Sequence, residues 1–127
     1  MIKISKGLDL PISGKPDISI TDEPKISSVS LLANDFVGMK PTMLVKENDE
    51  VKVGEKLFED KKNPGIFFTA PAGGFIKSIN RGDKRKFLSI EIEISQNEEF
   101  IDFDMGSSQD EIKKKLINSG LWNVFRT

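Results

Sequence analysis

The feature that most constrains the fold is a strict alternation of apolar and polar side chains in the last third of the chain. Leu88, Ile90, Ile92 and Ile94 are separated by single serine or glutamate residues. Because successive side chains of a strand point to opposite faces of a sheet, this pattern predicts a strand with one buried and one solvated face. Such a strand needs partner strands, so the sequence predicts a mostly β protein.

Turn signals divide the region before this strand. In Asn63-Pro64-Gly65, proline fixes φ at the second turn position and glycine accepts a positive φ at the third, which is typical of a type II turn. Apolar residues on both sides predict that residues 57–69 form one hairpin with this turn at its tip. Structural turns are predicted at the hairpin tip, at the next corner and before the last long strand. Their residues are Asn63, Pro64, Gly65, Pro71, Gly73, Gly74 and Gly82.

Two central stretches, residues 43–51 and 76–87, have a similar layout of strand, tight turn with aspartate and return strand. Folding one over the other would close a small flattened barrel. Val51-x-x-Gly54-x-x-Leu57 and Ala70-Pro71 resemble biotinyl and lipoyl carrier domains, which implies the barrel-sandwich hybrid fold. Shorter strands are predicted at residues 2–5, 18–20, 28–33 and 100–103, with residues 7–16 as an irregular wrapping segment.

The carrier resemblance raises an alternative function. Carrier domains present one modified lysine at a hairpin tip, but Lys61 and Lys62 precede the turn, and Pro64 and Gly65 occupy its apex. A plain charged hairpin is therefore the preferred interpretation. The intact mass of the protein would distinguish the two.

The end of the sequence predicts one helix. Ser108 and Glu111 have the spacing of a capping box, and Gly120 is a typical helix stop. We therefore divide the chain into a β domain, residues 1–106, and a helix leading into a linker and a further domain, residues 107–127. The apolar residues after the helix are predicted to form an interface; they are Leu121, Trp122, Val124 and Phe125.

Composition limits the chemistry. The chain of 127 residues has no cysteine and no histidine, so the commonest metal ligands and the commonest general base are absent. No catalytic, cofactor-binding or metal-binding residue is predicted. With 19 basic and 20 acidic residues the net charge is −1, which does not favour nucleic acid as a partner. The basic triplets at residues 84–86 and 113–115 are interpreted as solvated faces.

Longer motifs resemble the A subunit of the sodium-translocating NADH:quinone reductases. They occur in the family's order along nearly the whole chain: Gly7-Leu8-Asp9-Leu10-Pro11-Ile12-x-Gly14-x-Pro16, Gly38-Met39-Lys40-Pro41-x-Met43, Leu57-Phe58-Glu59-Asp60-Lys61-Lys62-Asn63-Pro64-Gly65, Phe68-Thr69-Ala70-Pro71-Ala72, Ile79-Asn80-Arg81-Gly82, and Ser119-Gly120-Leu121-Trp122 with Arg126-Thr127. Asn48 departs from the family, which more often has glycine there, but both residues tolerate a turn.

The resemblance implies a structural or docking domain of a peripheral subunit on the cytoplasmic face of the bacterial inner membrane. The complex would couple NADH oxidation and ubiquinone reduction to sodium export, so the enzyme activity would belong to the assembly. Flavins and iron–sulfur centres would lie in other subunits. Partners would be the remaining domains of the same polypeptide, the other subunits of the complex and, for the full-length polypeptide, ubiquinone as a weaker candidate.

The related C subunit of the Rnf complex, which takes part in electron transport, is the other alternative. In that family the corresponding helix is followed by a glycine-rich loop suited to flavin or dinucleotide phosphates. Here bulky residues 121–126 follow Gly120, so a phosphate could not approach the backbone closely. This difference favours the reductase family.

Overall fold

Most of the regular secondary structure belongs to two small antiparallel sheets. The computed structural model describes residues 7, 13–20, 24–104, 106 and 108–125. The elements are β1 Ser28–Leu32, β2 Pro41–Met43, β3 Glu50–Val51, β4 Lys56–Asp60, β5 Phe67–Thr69, β6 Gly74–Arg81, β7 Phe87–Ile94 and α1 Gln109–Asn118, with short 3-10 turns at Ala33–Asp35, Asp83–Arg85 and Leu121–Val124.

The larger sheet has the order β1-β7-β6-β3 and the smaller one β2-β4-β5. The alternating strand predicted from the sequence is β7, whose Ile92 lies opposite Val29 on one side and Ile76 on the other. Ile90 and Ile92 are buried, while Leu88 is exposed. The mostly β prediction is confirmed, and so is the buried face at Ile90 and Ile92. At Leu88 the prediction is wrong: Phe87 is buried instead, because the pairing of β6 with β7 shifts register between Asn80 and Arg81.

The core is built around stacked phenylalanines between the sheets. Phe58 is fully buried and its ring stacks on Phe68 with 4.8 Å between centroids. Phe36 and Phe87 pack against this pair. The ring centroid of Phe36 lies 4.5 Å from that of Phe68, and the centroid of Phe87 lies 5.4 Å from that of Phe58. Leu57 is also fully buried although it neighbours Phe58, because the pairing of β4 with β5 is irregular between Lys56 and Phe58. A bulge of this kind lets consecutive side chains both reach the interior.

The hairpin tip has the predicted geometry. The Ile66 amide donates to the Asn63 carbonyl over 3.1 Å, and Gly65 lies between them with φ of 89°. These are the hydrogen bond and the positive φ that a type II turn requires. The strands on either side, β4 and β5, pair as the predicted hairpin.

Several predictions are wrong. Ile18 and Ile20 are exposed and form no strand. The described residues of the predicted wrapping segment, 7 and 13–16, are all exposed and so do not pack against the β domain. Phe100 makes only an isolated parallel bridge to Val53 instead of a strand. The two similar stretches also differ: β2 and β3 lie in different sheets, whereas β6 and β7 form one hairpin. The strand predicted at residues 2–5, and residues 8–12 of the predicted wrapping segment, lie outside the described residues.

Candidate functional site

The tip of the β4–β5 hairpin does not present a lysine at its apex. Lys61 and Lys62 precede the turn, and both take part in contacts with residues 38–40. The Lys61 amide donates to the Lys40 carbonyl over 2.7 Å, and Lys62 Nζ donates to the Gly38 carbonyl over 2.5 Å. These lysines therefore help to join two surface segments.

Asp60 is the centre of this junction. Its carboxylate is buried, with 5% of the residue exposed, and accepts hydrogen bonds from the Lys40 amide at 3.1 Å, the Lys62 amide at 3.0 Å and Asn63 Nδ2 at 2.6 Å. Two of these donors belong to the hairpin turn and one to the segment that leads into β2. A single carboxylate thus fixes the position of both segments, and we call this arrangement the Asp60 clamp.

The hydrogen bonds of the Asp60 clamp also set its ionisation. Burial raises the pKa of the Asp60 carboxyl, but the hydrogen bonds from Asn63 and from the Lys40 and Lys62 amides outweigh it, and the pKa lies below its usual value. A carboxyl with a lower pKa in the folded state stabilises the fold fully above its unfolded pKa, about 4. This stabilisation is lost as the pH falls through the folded pKa.

Asp60→Asn is therefore expected to lower the free energy of unfolding by about 1–3 kcal/mol at pH 7, since hydrogen bonds to a charged acceptor are lost. The difference from the unchanged protein should shrink as the pH falls below about 4, where the Asp60 carboxyl is protonated in the unfolded chain, and should be smallest once the pH is also below the pKa of Asp60 in the folded protein. Urea unfolding between pH 7 and pH 3 measures both effects. Asp102→Asn, at an exposed carboxylate, is the control and should change the free energy little. If the loss of unfolding free energy in Asp60→Asn were the same at pH 7 and pH 3, the charged carboxylate of Asp60 would not be the source of the stabilisation.

A cleft lies beside the clamp, between residues 33–41 and the turn that joins β6 to β7. Its volume is about 700 Å³. Phe36, Val37 and Met39 contribute apolar surface to it. Fourteen described residues line the cleft, and none of these is acidic; the basic ones are Lys40, Lys62, Arg81, Lys84, Arg85 and Lys86. We call this the basic cleft.

The sequence does not predict the basic cleft. The interpretation of residues 84–86 as a solvated face agrees with the exposure of their three side chains. The sequence does not reveal that Lys40 and Lys62, which lie in other segments of the chain, line the same cavity as residues 84–86. The only local signal is the density of basic residues around Gly82.

The other candidate surface is the segment after α1. The helix begins with the predicted capping box, in which Ser108 and Glu111 exchange hydrogen bonds, and Gly120 follows it with φ of 75°. The segment is fixed to β5, an edge strand: Thr69 Oγ1 donates to the Ser119 carbonyl over 3.0 Å, and Asn123 Nδ2 donates to the Phe67 carbonyl over 3.4 Å. Both the helix and its glycine stop are confirmed.

The four residues predicted to form an interface lie together on the surface. The exposed fractions are 53% for Leu121, 68% for Val124 and 59% for Phe125, while Trp122 is half-buried. The Trp122 ring lies 6.0 Å from that of Phe125, and Lys113 Nζ lies 5.4 Å from the Trp122 ring. We call these four residues the apolar segment. Their use as an interface remains a prediction.

The predicted turn residues occupy corners. Pro71 and Gly73 lie in the connection between β5 and β6, and Gly74 begins β6 with φ of 152°. Gly82 has φ of −98°, so the glycine is not needed for its backbone conformation. The positive φ angles occur instead at Lys84 and Arg85, in the turn that follows.

Neither a cluster of metal ligands nor a membrane-spanning helix occurs in the described part of the chain. No group of three or more acidic side chains there is arranged to hold a metal ion. Among the same residues, no helix combines the length and the apolar character needed to cross a bilayer.

Comparison with known proteins gives a consistent result. Residues 2–95 match the family described as the NqrA N-terminal barrel-sandwich hybrid domain. Proteins named as the A subunit of Na(+)-translocating NADH-quinone reductase align with the whole chain at 52% identity in Photorhabdus laumondii, 49% in Neisseria meningitidis serogroup B and 50% in Yersinia pseudotuberculosis serotype O:1b. The chain spans about 30% of the length of these relatives.

Proposed function

The chain belongs to the family of NqrA N-terminal barrel-sandwich hybrid domains, and on this basis we propose that it is the docking domain of the NqrA polypeptide of a sodium-translocating NADH-quinone reductase. Family membership and the barrel-sandwich hybrid fold confirm the resemblance inferred from the sequence. In this proposal residues 1–106 are the docking domain, and residues 107–127 lead towards a further domain. NADH oxidation, quinone reduction and sodium export are activities of the assembly. NqrA would be peripheral, on the cytoplasmic face of the bacterial inner membrane.

The apolar segment is the observation that supports a docking role most directly. Exposed clusters of large apolar side chains are typical of surfaces that contact another domain or subunit. Here the cluster is held in place by polar contacts of Ser119 and Asn123 with β5 rather than by burial of its own side chains. We infer that it packs against the part of NqrA that the relatives possess and that this chain does not span.

The contacts of Asp60 support a structural role for this buried carboxylate. The buried carboxylate of Asp60 is occupied by three hydrogen bonds of the clamp. In this proposal flavin and iron–sulfur centres belong to other subunits of the complex, and a contact with ubiquinone belongs to other parts of NqrA.

Replacing Trp122 by alanine tests the proposal. In the isolated chain we expect the free energy of unfolding to fall by about 1–2 kcal/mol, because the ring is partly covered and contacts Phe125 and Lys113. In full-length NqrA the same change should cost about 3–5 kcal/mol, as for a ring that is fully buried in an interface. Urea unfolding of both proteins, and copurification of full-length NqrA with its partner subunits, provide the measurements.

Leu88→Ala is the matched control, since this exposed side chain lies on β7, away from the apolar segment. It should have similar, small effects in both proteins. If Trp122→Ala destabilises the isolated chain as much as full-length NqrA, the apolar segment serves only the fold of this domain and the proposal is wrong.

A further inference from the structure

We propose that the basic cleft binds an organic phosphate, with the phosphoryl group against its basic side chains and the apolar part of the ligand against Phe36, Val37 and Met39. This inference does not depend on the proposed docking role. It concerns a different surface, since no residue of the apolar segment lines the cleft.

The distribution of charge is the first argument. The chain has 19 basic residues and a net charge of −1, yet six of the basic residues line one cavity that no acidic side chain lines. Like charges gathered around a cavity repel each other, and an anion placed between them removes that repulsion. The two ion pairs within the described part of the chain, Lys52–Glu99 and Lys77–Glu91, involve none of these cations. Asp60 partly balances the charge of Lys62, whose Nζ also donates to the Gly38 carbonyl. The cations left without an ion pair among the described residues include Arg81, Lys84, Arg85 and Lys86.

The backbone of the β6–β7 turn is the second argument. Lys84 has φ of 54° and ψ of 30°, and Arg85 has φ of 61°. In this left-handed region a Cβ approaches the neighbouring carbonyl oxygen, so glycine and asparagine are the favoured residues. Positions 84 and 85 thus carry two long basic side chains, although asparagine and glycine there would make the turn more stable. Strain kept in this way is typical of positions whose side chains have a function.

The walls and the size of the cleft define the ligand class. The Asp60 clamp fixes the wall formed by Lys40 and Lys62, so this wall is in place before a ligand arrives. Arginine and lysine are the side chains that bind phosphoryl oxygens, and arginine can do so through two parallel hydrogen bonds. A volume of about 700 Å³ with apolar surface exceeds the needs of a bare phosphate ion and suits a phosphate ester.

The double variant Lys84→Asn/Arg85→Gly tests the inference. Phenyl phosphate serves as a soluble ester, and vesicles of phosphatidylglycerol, compared with phosphatidylcholine, present the same group as a lipid headgroup. We expect the unchanged protein to bind one of these anionic probes saturably and the variant to bind it at least about tenfold more weakly, since charge-assisted contacts are lost. The variant should also melt a few degrees higher, about 4 °C, because the turn is relieved of strain.

The pair of results separates a binding role from a structural one. Lys25→Gln/Lys114→Gln removes two exposed positive charges elsewhere and is the control; it should leave binding unchanged. Saturable binding of phenyl phosphate identifies a soluble ester as the ligand source, and binding of phosphatidylglycerol vesicles alone identifies a headgroup. The proposal is overturned if neither probe binds, if the turn variant binds as well as the unchanged protein, or if the control loses as much affinity.

Discussion

Gly74→Ala should lower the free energy of unfolding by about 3–5 kcal/mol, a very large effect for the addition of one methyl group. Gly74 begins β6 with φ of 152°, a backbone conformation that favours glycine. A Cβ at this position would overlap the carbonyl oxygen of Glu93 and press on the amide of Ser95. Both obstacles are backbone atoms of the neighbouring strand and its end, so no side-chain rotation can relieve the overlap. Gly74 also pairs with Val51 and Ile94, and the change would disturb both pairings.

Gly73 provides the matched control at the preceding position. Its φ is not in the region that favours glycine, and a Cβ there would lie 3.4 Å from the Glu99 carbonyl oxygen, close to an ordinary contact. Gly73→Ala should therefore change the free energy of unfolding by less than about 1 kcal/mol. Urea unfolding at pH 7 measures both variants. Equal free energies of unfolding for the two variants would show that the pairing of β6 with β7 can accommodate a Cβ at position 74.

Phe58→Ala should lower the free energy of unfolding by about 3–5 kcal/mol, as large-to-small changes of buried aromatic residues do. Phe58 is fully buried, stacks on Phe68 at 4.8 Å and contacts Phe87 at 5.4 Å between ring centroids. Its removal leaves a cavity between the two sheets that the rigid strands on either side cannot close. The lost stability then has two parts: the favourable free energy of moving the ring from water into the core, and the contacts that the surrounding rings made with it.

Phe75→Ala is the corresponding control, because this ring lies on β6 but is 48% exposed. It should cost about 1 kcal/mol or less. Chemical unfolding followed by far-UV circular dichroism suits both variants. A cost for Phe58→Ala no greater than that for Phe75→Ala would mean that the sheets can close over the missing ring.

Local signals carry most of what can be predicted from the sequence. Strand β7, the β4–β5 hairpin and helix α1 each have a pattern that spans only a few residues: an alternation, a Pro64-Gly65 turn and a Ser108–Glu111 capping box. These patterns act through neighbouring residues, so they can be interpreted without knowledge of the rest of the fold. The alternation at Ile18 and Ile20 shows the limit, since two apolar residues form no strand where no partner strand lies beside them.

The basic cleft and the Asp60 clamp cannot be predicted from local sequence patterns, because they depend on contacts between separate segments of the chain. Lys40 and Lys62 lie far apart in the chain, and only the packing of the smaller sheet brings them together around Asp60. Two of the three donors to Asp60 are backbone amides, which no residue type reveals. By contrast, the apolar segment is recognisable because its four side chains lie within five consecutive positions.

The attachment of residues 119–123 to β5 has a consequence for the behaviour of the protein in solution. An uncovered edge strand offers free carbonyl and amide groups to a strand of another molecule, which is a common route to aggregation. The Phe67 carbonyl of this edge accepts a hydrogen bond from Asn123 Nδ2, and the Thr69 hydroxyl, by donating to the Ser119 carbonyl, holds the following segment against the strand. Residues 119–123 thus also protect the edge of β5 from the addition of a strand of another molecule.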